Sequence, residues 1–213
     1  MKGSNPIRPP VMDDGAQLAV QEIFATLQGE GPYAGWPALF VRLGGCNLAC
    51  DFCDTDFENF AQTSVANIVA KAAGHTLVII TGGEPFRQNI APLCEALIAA
   101  GAKVQIETNG TIYRELPKAV EIICSPKNTN GAYHPIRGDL IPRINAFKFL
   151  ISATRSDYSD VPDVGQGDAP IYVQPMDEVD AEKNAANRAR ATKLALERGY
   201  RLSLQLHKIV GIA

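Results

Sequence analysis

Six short apolar runs divide the middle of this chain, and each is followed at once by glycines, cysteines or polar side chains. The runs are Ala38 to Leu43, Leu77 to Ile80, Lys103 to Ile106, Ala119 to Cys124, Ala146 to Ile151 and Ile171 to Val173. A continuous β-branched stretch such as Leu77-Val78-Ile79-Ile80 suits a strand covered on both faces, as strands of parallel sheets are. Helical patterns alternate with the runs over Ser64 to Ala73, Asn89 to Ala100 and Asp180 to Arg198, the last stopped by Gly199. Gln17 to Leu27 alternates like a strand, and Leu202 to Leu206 closes the pattern as a last strand. The predicted fold is α/β: a reduced, open (β/α) partial TIM barrel with about six core parallel strands and three helices. The interval from Cys53 to Leu77 has room for one helix, which is why the barrel is reduced. The 213 residues divide into a flexible N-terminal arm, 1–16, and a single domain, 17–213.

In folds of this kind, reactive groups gather at the C-terminal ends of the strands. The segments after the runs are chemically distinctive: Gly44 to Cys53, Thr81 to Pro85, Glu107 to Gly110, Ser125 to Lys127 and Gln174 to Asp177. The first contains Cys46-Asn47-Leu48-Ala49-Cys50-Asp51-Phe52-Cys53, a C-x3-C-x2-C loop. Three thiolates on one loop can each hold one iron of a [4Fe-4S] cube, leaving the fourth iron open, whereas electron-transfer clusters use four cysteines. A structural zinc loop is the alternative, but it needs a closed tetrahedral set. Cys94 and Cys124 lie in apolar patterns that read as core, and His75, His134 and His207 are isolated in sequence. Twenty basic against twenty-three acidic residues, with no basic run, argue against direct nucleic-acid binding. No apolar stretch approaches the roughly 20 residues of a membrane span, and residues 1–10 lack the apolar core of a secretory signal. An odd count of five cysteines, three of them clustered, fits the reducing cytoplasm better than a disulfide framework.

The cysteine loop resembles that of the radical S-adenosylmethionine (SAM) superfamily, in which the open iron chelates SAM and the reduced cluster yields a 5'-deoxyadenosyl radical. The wider set of motifs resembles one member family, the 7-carboxy-7-deazaguanine synthases of 7-deazapurine and queuosine biosynthesis. The matching pieces are Leu27-Gln28-Gly29-Glu30-Gly31, Arg42, Cys53-Asp54-Thr55, Thr81 to Pro85, Glu107 to Gly110, Ser125-Pro126-Lys127, Gln174 to Asp177 and Gln205-Leu206-His207-Lys208. One departure is Ala49, where an aromatic is often found.

The resemblance implies a radical ring contraction of 6-carboxy-5,6,7,8-tetrahydropterin to 7-carboxy-7-deazaguanine with loss of ammonia. SAM is regenerated, and the class is carbon–nitrogen lyase. Cys46, Cys50 and Cys53 would ligate the [4Fe-4S] cluster. Leu27, Gln28, Gly29, Arg42, Thr81, Glu107 and the terminal carboxylate of Ala213 would bind the pterin, with the Arg42 fork suited to its carboxylate. SAM would meet Phe52, Cys53, Asp54, Gly83, Glu84, Ser125, Pro126, Lys127, Gln174, Pro175, Met176 and Asp177. Thr55 would bind Mg2+, which takes few protein oxygens. The implied partners are a one-electron reductant such as flavodoxin or ferredoxin and a second copy of the chain, since a homodimer would cover the open barrel's apolar edges. Two competing functions are a glycyl-radical-enzyme activase, which would lack the pterin set, and a non-catalytic iron–sulfur or zinc carrier, which would have four ligands and no SAM segments.

Cys50→Ala is expected to abolish the iron–sulfur absorption after anaerobic reconstitution, whereas Cys94→Ala and Cys124→Ala retain it. Equal loss in the latter pair, with the protein still folded, would refute the three-ligand assignment.

Overall fold

The computed structural model describes residues 5–129 and 131–212. In chain order its elements are β1 (Gln17–Leu27), β2 (Pro37–Leu43), β3 (Ala61–Ser64), α1 (Val65–Ala72), β4 (Leu77–Gly82), α2 (Ala91–Ala99), β5 (Lys103–Thr108) and β6 (Glu121–Cys124). They continue with β7 (Asn128–Thr129), β8 (Ala132–Tyr133), β9 (Ala146–Ile151), β10 (Ile171–Pro175), α3 (Ala181–Arg198), β11 (Arg201–Leu202) and α4 (Leu206–Val210). Nine strands form one sheet in the order β11-β10-β9-β6-β5-β4-β2-β1-β3, and β7 and β8 make a separate hairpin. Pairing is parallel from β2 across to β11, while β1 runs antiparallel to both β2 and β3. The six expected parallel strands are therefore β2, β4, β5, β6, β9 and β10, and the sheet ends at two unjoined edges, β3 and β11.

The three expected helices form where their signals stand. Ser64 caps α1 by accepting from the Asn67 N–H at 3.3 Å, and Asp180 caps α3 by accepting from Glu182 and Lys183 at 3.0 Å each. Gly199 ends α3 with φ 71°, a left-handed conformation that glycine adopts without steric penalty. These helices lie on one side of the sheet. Ile68 of α1, Leu93 and Leu97 of α2 and Leu194 of α3 share a core with Val41, Val78, Ile80, Val104, Ile106, Ile122, Phe147, Phe149 and Val173. The expected strand over Leu202 to Leu206 is corrected by the structure. β11 stops at Leu202, and Leu206 begins the short helix α4, whose first amide donates to Gly29 O at 3.1 Å. The Leu-Ser-Leu-Gln-Leu alternation suits a strand, and Ser203 N still donates to Val173 O at 2.9 Å, but beyond it the Gln205 side chain bonds Glu30 and the chain turns into α4.

Side chains alternate across a strand, so what does not face the helices faces the other side. Ile79, Ile123 and Tyr172 pack there in two small clusters. Toward the C-terminal ends the same rows carry Arg42, Thr81, Glu107, Lys148 and Gln174, all lining one cavity. Register ties them together: Arg42 pairs with Thr81, and Leu150 pairs with Gln174.

The cysteine loop is fixed by backbone contact with the next strand's end. Gly83 donates to Leu43 O at 3.1 Å and Glu84 to Gly45 O at 3.0 Å. A Cβ on Gly83 would overlap the Gly45 carbonyl oxygen, a backbone atom that cannot move without moving the loop. Gly83→Ala is therefore expected to destabilise the fold by about 1–3 kcal/mol in chemical denaturation, and to reduce bound iron after reconstitution. Gly138→Ala, where the added carbon meets nothing within 4 Å, serves as the control. Full iron content and stability in Gly83→Ala would contradict this account.

Candidate active site

The cavity at the C-terminal ends of the strands has a volume of about 300 Å³, and all three loop thiols open into it. Cys46 is buried, while Cys50 and Cys53 are half-buried. Burial pushes the Cys46 thiol up to about 12 and raises Cys50 and Cys53 as well. Thiolates here need a positive partner, as iron would supply. N–H groups already point at sulfur: Leu48 N lies 3.4 Å and Asn109 Nδ2 4.0 Å from Cys46 Sγ. Among the described residues no three His, Cys, Asp or Glu side chains gather as a single-ion site requires. Three thiolates on separate irons of a cube need no such convergence. The donor set thus fits a three-ligand cluster.

Around the loop, Phe52 packs edge-on against Tyr158 at 5.1 Å, and the Arg155 guanidinium sits 5.5 Å from its ring centre. Asp54 accepts from the Thr55 hydroxyl at 3.0 Å. Across the cavity, Lys127 donates to Ser125 O at 2.9 Å and to Ser125 Oγ at 2.6 Å, and burial lowers its pKa. Gln174, Pro175, Met176 and Asp177 form the next wall. Lys208 bonds Asp177 at 2.6 Å and holds that carboxyl down at about 2.

A second polar group faces the thiols from the sheet. Gln28, 1% exposed, donates to Glu107 Oε1 at 3.1 Å, and Leu27 and Thr81 line the wall beside it. Arg42 also lines the cavity, with its Nε 2.6 Å from Glu22 and its guanidinium over the Phe24 ring. Three of the anticipated residues do not form the cavity wall. Gly29 faces the His207 ring, which a side chain on it would overlap. Pro126 is buried between Ser125 and Lys127. Glu84 is wholly buried and accepts from Phe86 N at 3.0 Å, Thr108 Oγ1 at 2.8 Å and Asn109 N at 2.7 Å. Burial raises its pKa to about 7 against those three bonds. It thereby joins the Thr81–Pro85 turn to the Glu107–Gly110 turn. Ala213 lies outside the described residues.

The sequence reading missed Lys148. Its ammonium, 6% exposed, pairs with Glu30 and stands 3.4 Å from Glu107, and Gln205 bonds Glu30 from the other side at 2.9 Å. Burial alone would raise the Glu30 pKa, but Lys148 outweighs it and holds the group well below the usual carboxylate range. The same two carboxylates raise Lys148, overcoming a burial effect of opposite sign. The available signal was a lysine at an inward position of the apolar run Ala146 to Ile151. Removing one partner of a buried ion pair leaves the others uncompensated. Lys148→Met is thus expected to cost about 3–5 kcal/mol in chemical denaturation of the iron-free protein, with Glu30→Gln in the same chain restoring part of it. An unchanged midpoint in the single variant would show that the group is not coupled.

Comparison with known proteins agrees with this geometry. A sequence profile of the radical SAM superfamily matches residues 40–128. A 7-carboxy-7-deazaguanine synthase of Rickettsia prowazekii is 52% identical over 224 aligned positions, covering 100% of this chain and 96% of the relative. That of Rhodospirillum rubrum is 42% identical, with all of both chains covered. The crystal structure of QueE from Escherichia coli is similar with a TM-score of 0.71 at 28% identity, covering 89% of this chain and 94% of that one.

Proposed function

This chain belongs to the 7-carboxy-7-deazaguanine synthases of the radical SAM superfamily, and from that premise we propose that its cavity converts 6-carboxy-5,6,7,8-tetrahydropterin to 7-carboxy-7-deazaguanine with loss of ammonia. The observation that carries the reading is the meeting, in one cavity, of three thiols on one side and the Gln28, Glu107 and Lys148 group on the other. Held by Cys46, Cys50 and Cys53, a [4Fe-4S] cluster with SAM would supply the 5'-deoxyadenosyl radical that takes hydrogen from substrate C6.

The chain's own residues position and screen. Gln28 and Glu107 offer an amide and a carboxylate to the donor edge of an aminopyrimidine, with Leu27 and Thr81 beside them. Lys148 keeps negative charge tolerable there, because a buried carboxylate without a counter-charge is costly. Arg42 is the guanidinium on this wall for the pterin carboxylate, exchanging or sharing its Glu22 partner. The walls from Phe52 to Asp54, from Ser125 to Lys127 and from Gln174 to Asp177, with Gly83 at the turn, are assigned to SAM. Glu84 supports that region as the tie between two turns, and Gly29 and Pro126 set the backbone. The Thr55 hydroxyl beside Asp54 is the assigned Mg2+ position, completed by the substrate carboxylate and water. The terminal carboxylate of Ala213 is assigned to the pterin.

We further assign a flavodoxin- or ferredoxin-like reductant, a homodimer, a cytoplasmic location and a single domain over 17–213 preceded by an N-terminal arm. Five free cysteines support the location, and the exposed Leu202 on the edge strand β11, with the exposed Ile209 and Ile212 in and just after α4, supports the dimer. No helix among the described residues is long and apolar enough to cross a membrane.

Anaerobic incubation with SAM, dithionite and the carboxytetrahydropterin, followed by mass spectrometry, is expected to show the deazaguanine product and undiminished SAM. Mg2+ should stimulate the reaction, and Thr55→Val should lose that stimulation. Unchanged pterin alongside consumed SAM would defeat the reading.

A further inference from the structure

Residues 5–16, the described part of the chain before β1, form no helix and no strand beyond a single bridge, yet they are tied to the cluster loop and its surroundings. Ile7 forms a parallel bridge with Cys46, and Arg8 N donates to Cys46 O at 2.7 Å. The Arg8 guanidinium holds Glu58 at 2.5 and 2.8 Å and covers the Phe60 ring. Val11 N donates to Arg87 O at 2.7 Å, and Arg87 in turn donates to Pro9 O at 3.2 Å and Gly44 O at 3.0 Å. Arg114 adds a bond to Val11 O. Each tie is to the cluster loop itself, to the segment just after it, or to residues packed behind it.

Asn5 goes further than the backbone ties. It is 9% exposed, lines the same cavity as the thiols, and its Nδ2 lies 2.8 Å from Thr55 O and 3.9 Å from Cys53 Sγ. As a free thiol, Cys53 can give its own proton to Thr55 O, 3.4 Å away. A thiolate bound to iron has no such proton and only accepts. The two amide hydrogens of Asn5 then match what remains, one for the Thr55 carbonyl and one for the ligating sulfur. Cys46, at the other end of the loop, receives its donors from Leu48 and Asn109. The donor for Cys53 comes from the arm.

We propose that residues 5–11 form a strap over the cluster loop and that the Asn5 carboxamide is a positioning residue whose N–H to Cys53 Sγ sets the cluster's reduction potential. The proposal rests on the three-cysteine cluster reading. Reduction adds an electron to a cluster that is already anionic through its thiolates and sulfides. A donor aimed at a ligating sulfur stabilises the more negative state and so raises the potential. Packing by the strap also limits water around the loop.

The test is an EPR-monitored redox titration of the full chain after anaerobic reconstitution, without SAM, together with iron and sulfide analysis. Asn5→Leu removes the donors and keeps the bulk, and its midpoint potential is expected to be more negative than that of the wild type. Asn5→Asp, close in size but an acceptor with negative charge, should move it further in the same direction. An identical midpoint at equal iron content in both variants would overturn the proposal, leaving Asn5 a tie for the Thr55 carbonyl alone. If neither variant retains the cluster that the wild type holds, the strap serves cluster retention and the potential-setting role is refuted. A wild-type chain that takes up no cluster would instead overturn the three-cysteine reading beneath it.

Discussion

The period of two along a parallel strand is the constraint from which the rest of this molecule follows. Seating Val41, Ile80, Ile106 and Phe149 against the helices turns Arg42, Thr81, Glu107 and Lys148 to the other side. A slip of one residue in any of these strands would put a charged or hydroxyl side chain under the helices and send an apolar one into the cavity. The hydrophobic core therefore sets the register, and register places the polar groups. Because the strands run parallel, these groups and the loops that follow them collect at one end of the sheet.

Charge burial is the main cost of this arrangement, and the site meets it with close pairing. Lys148 between Glu30 and Glu107 and Lys208 on Asp177 and Asp54 pair charges of the cavity wall, and behind it Glu84 accepts from three donors. Such networks also rigidify. Rigid placement is what radical chemistry requires, since a reactive carbon must meet one substrate hydrogen and no other donor. The glycine contact between Gly83 and Gly45 serves the same end by bringing the cluster loop against the turn that follows β4.

Much of this was legible in the chain itself. The apolar runs and capped helices located the core strands and α1 to α3 to within a few residues, because burial on both faces leaves a plain hydrophobic signature. The cysteine spacing was legible because three ligands on one loop have few other uses. Short elements were not: β3 pairs with β1 far back in the chain, β7 and β8 are two residues each, and α4 replaces the end of an alternating strand pattern. Lys148 carried a weak signal as a lone cation in an apolar run, but its partner Glu30 lies 118 residues away. The ties of residues 5–11 left no trace in composition, since they are made largely by backbone groups that every residue carries.

The central claim is a cluster held by three thiols with one iron left open toward the cavity. Mössbauer spectroscopy of the iron-57-reconstituted chain, with and without SAM, tests it most directly. The account predicts that SAM changes the signal of one iron in four, as expected when a single site gains nitrogen and oxygen ligands. Four irons that stay alike and unchanged on adding SAM would contradict it.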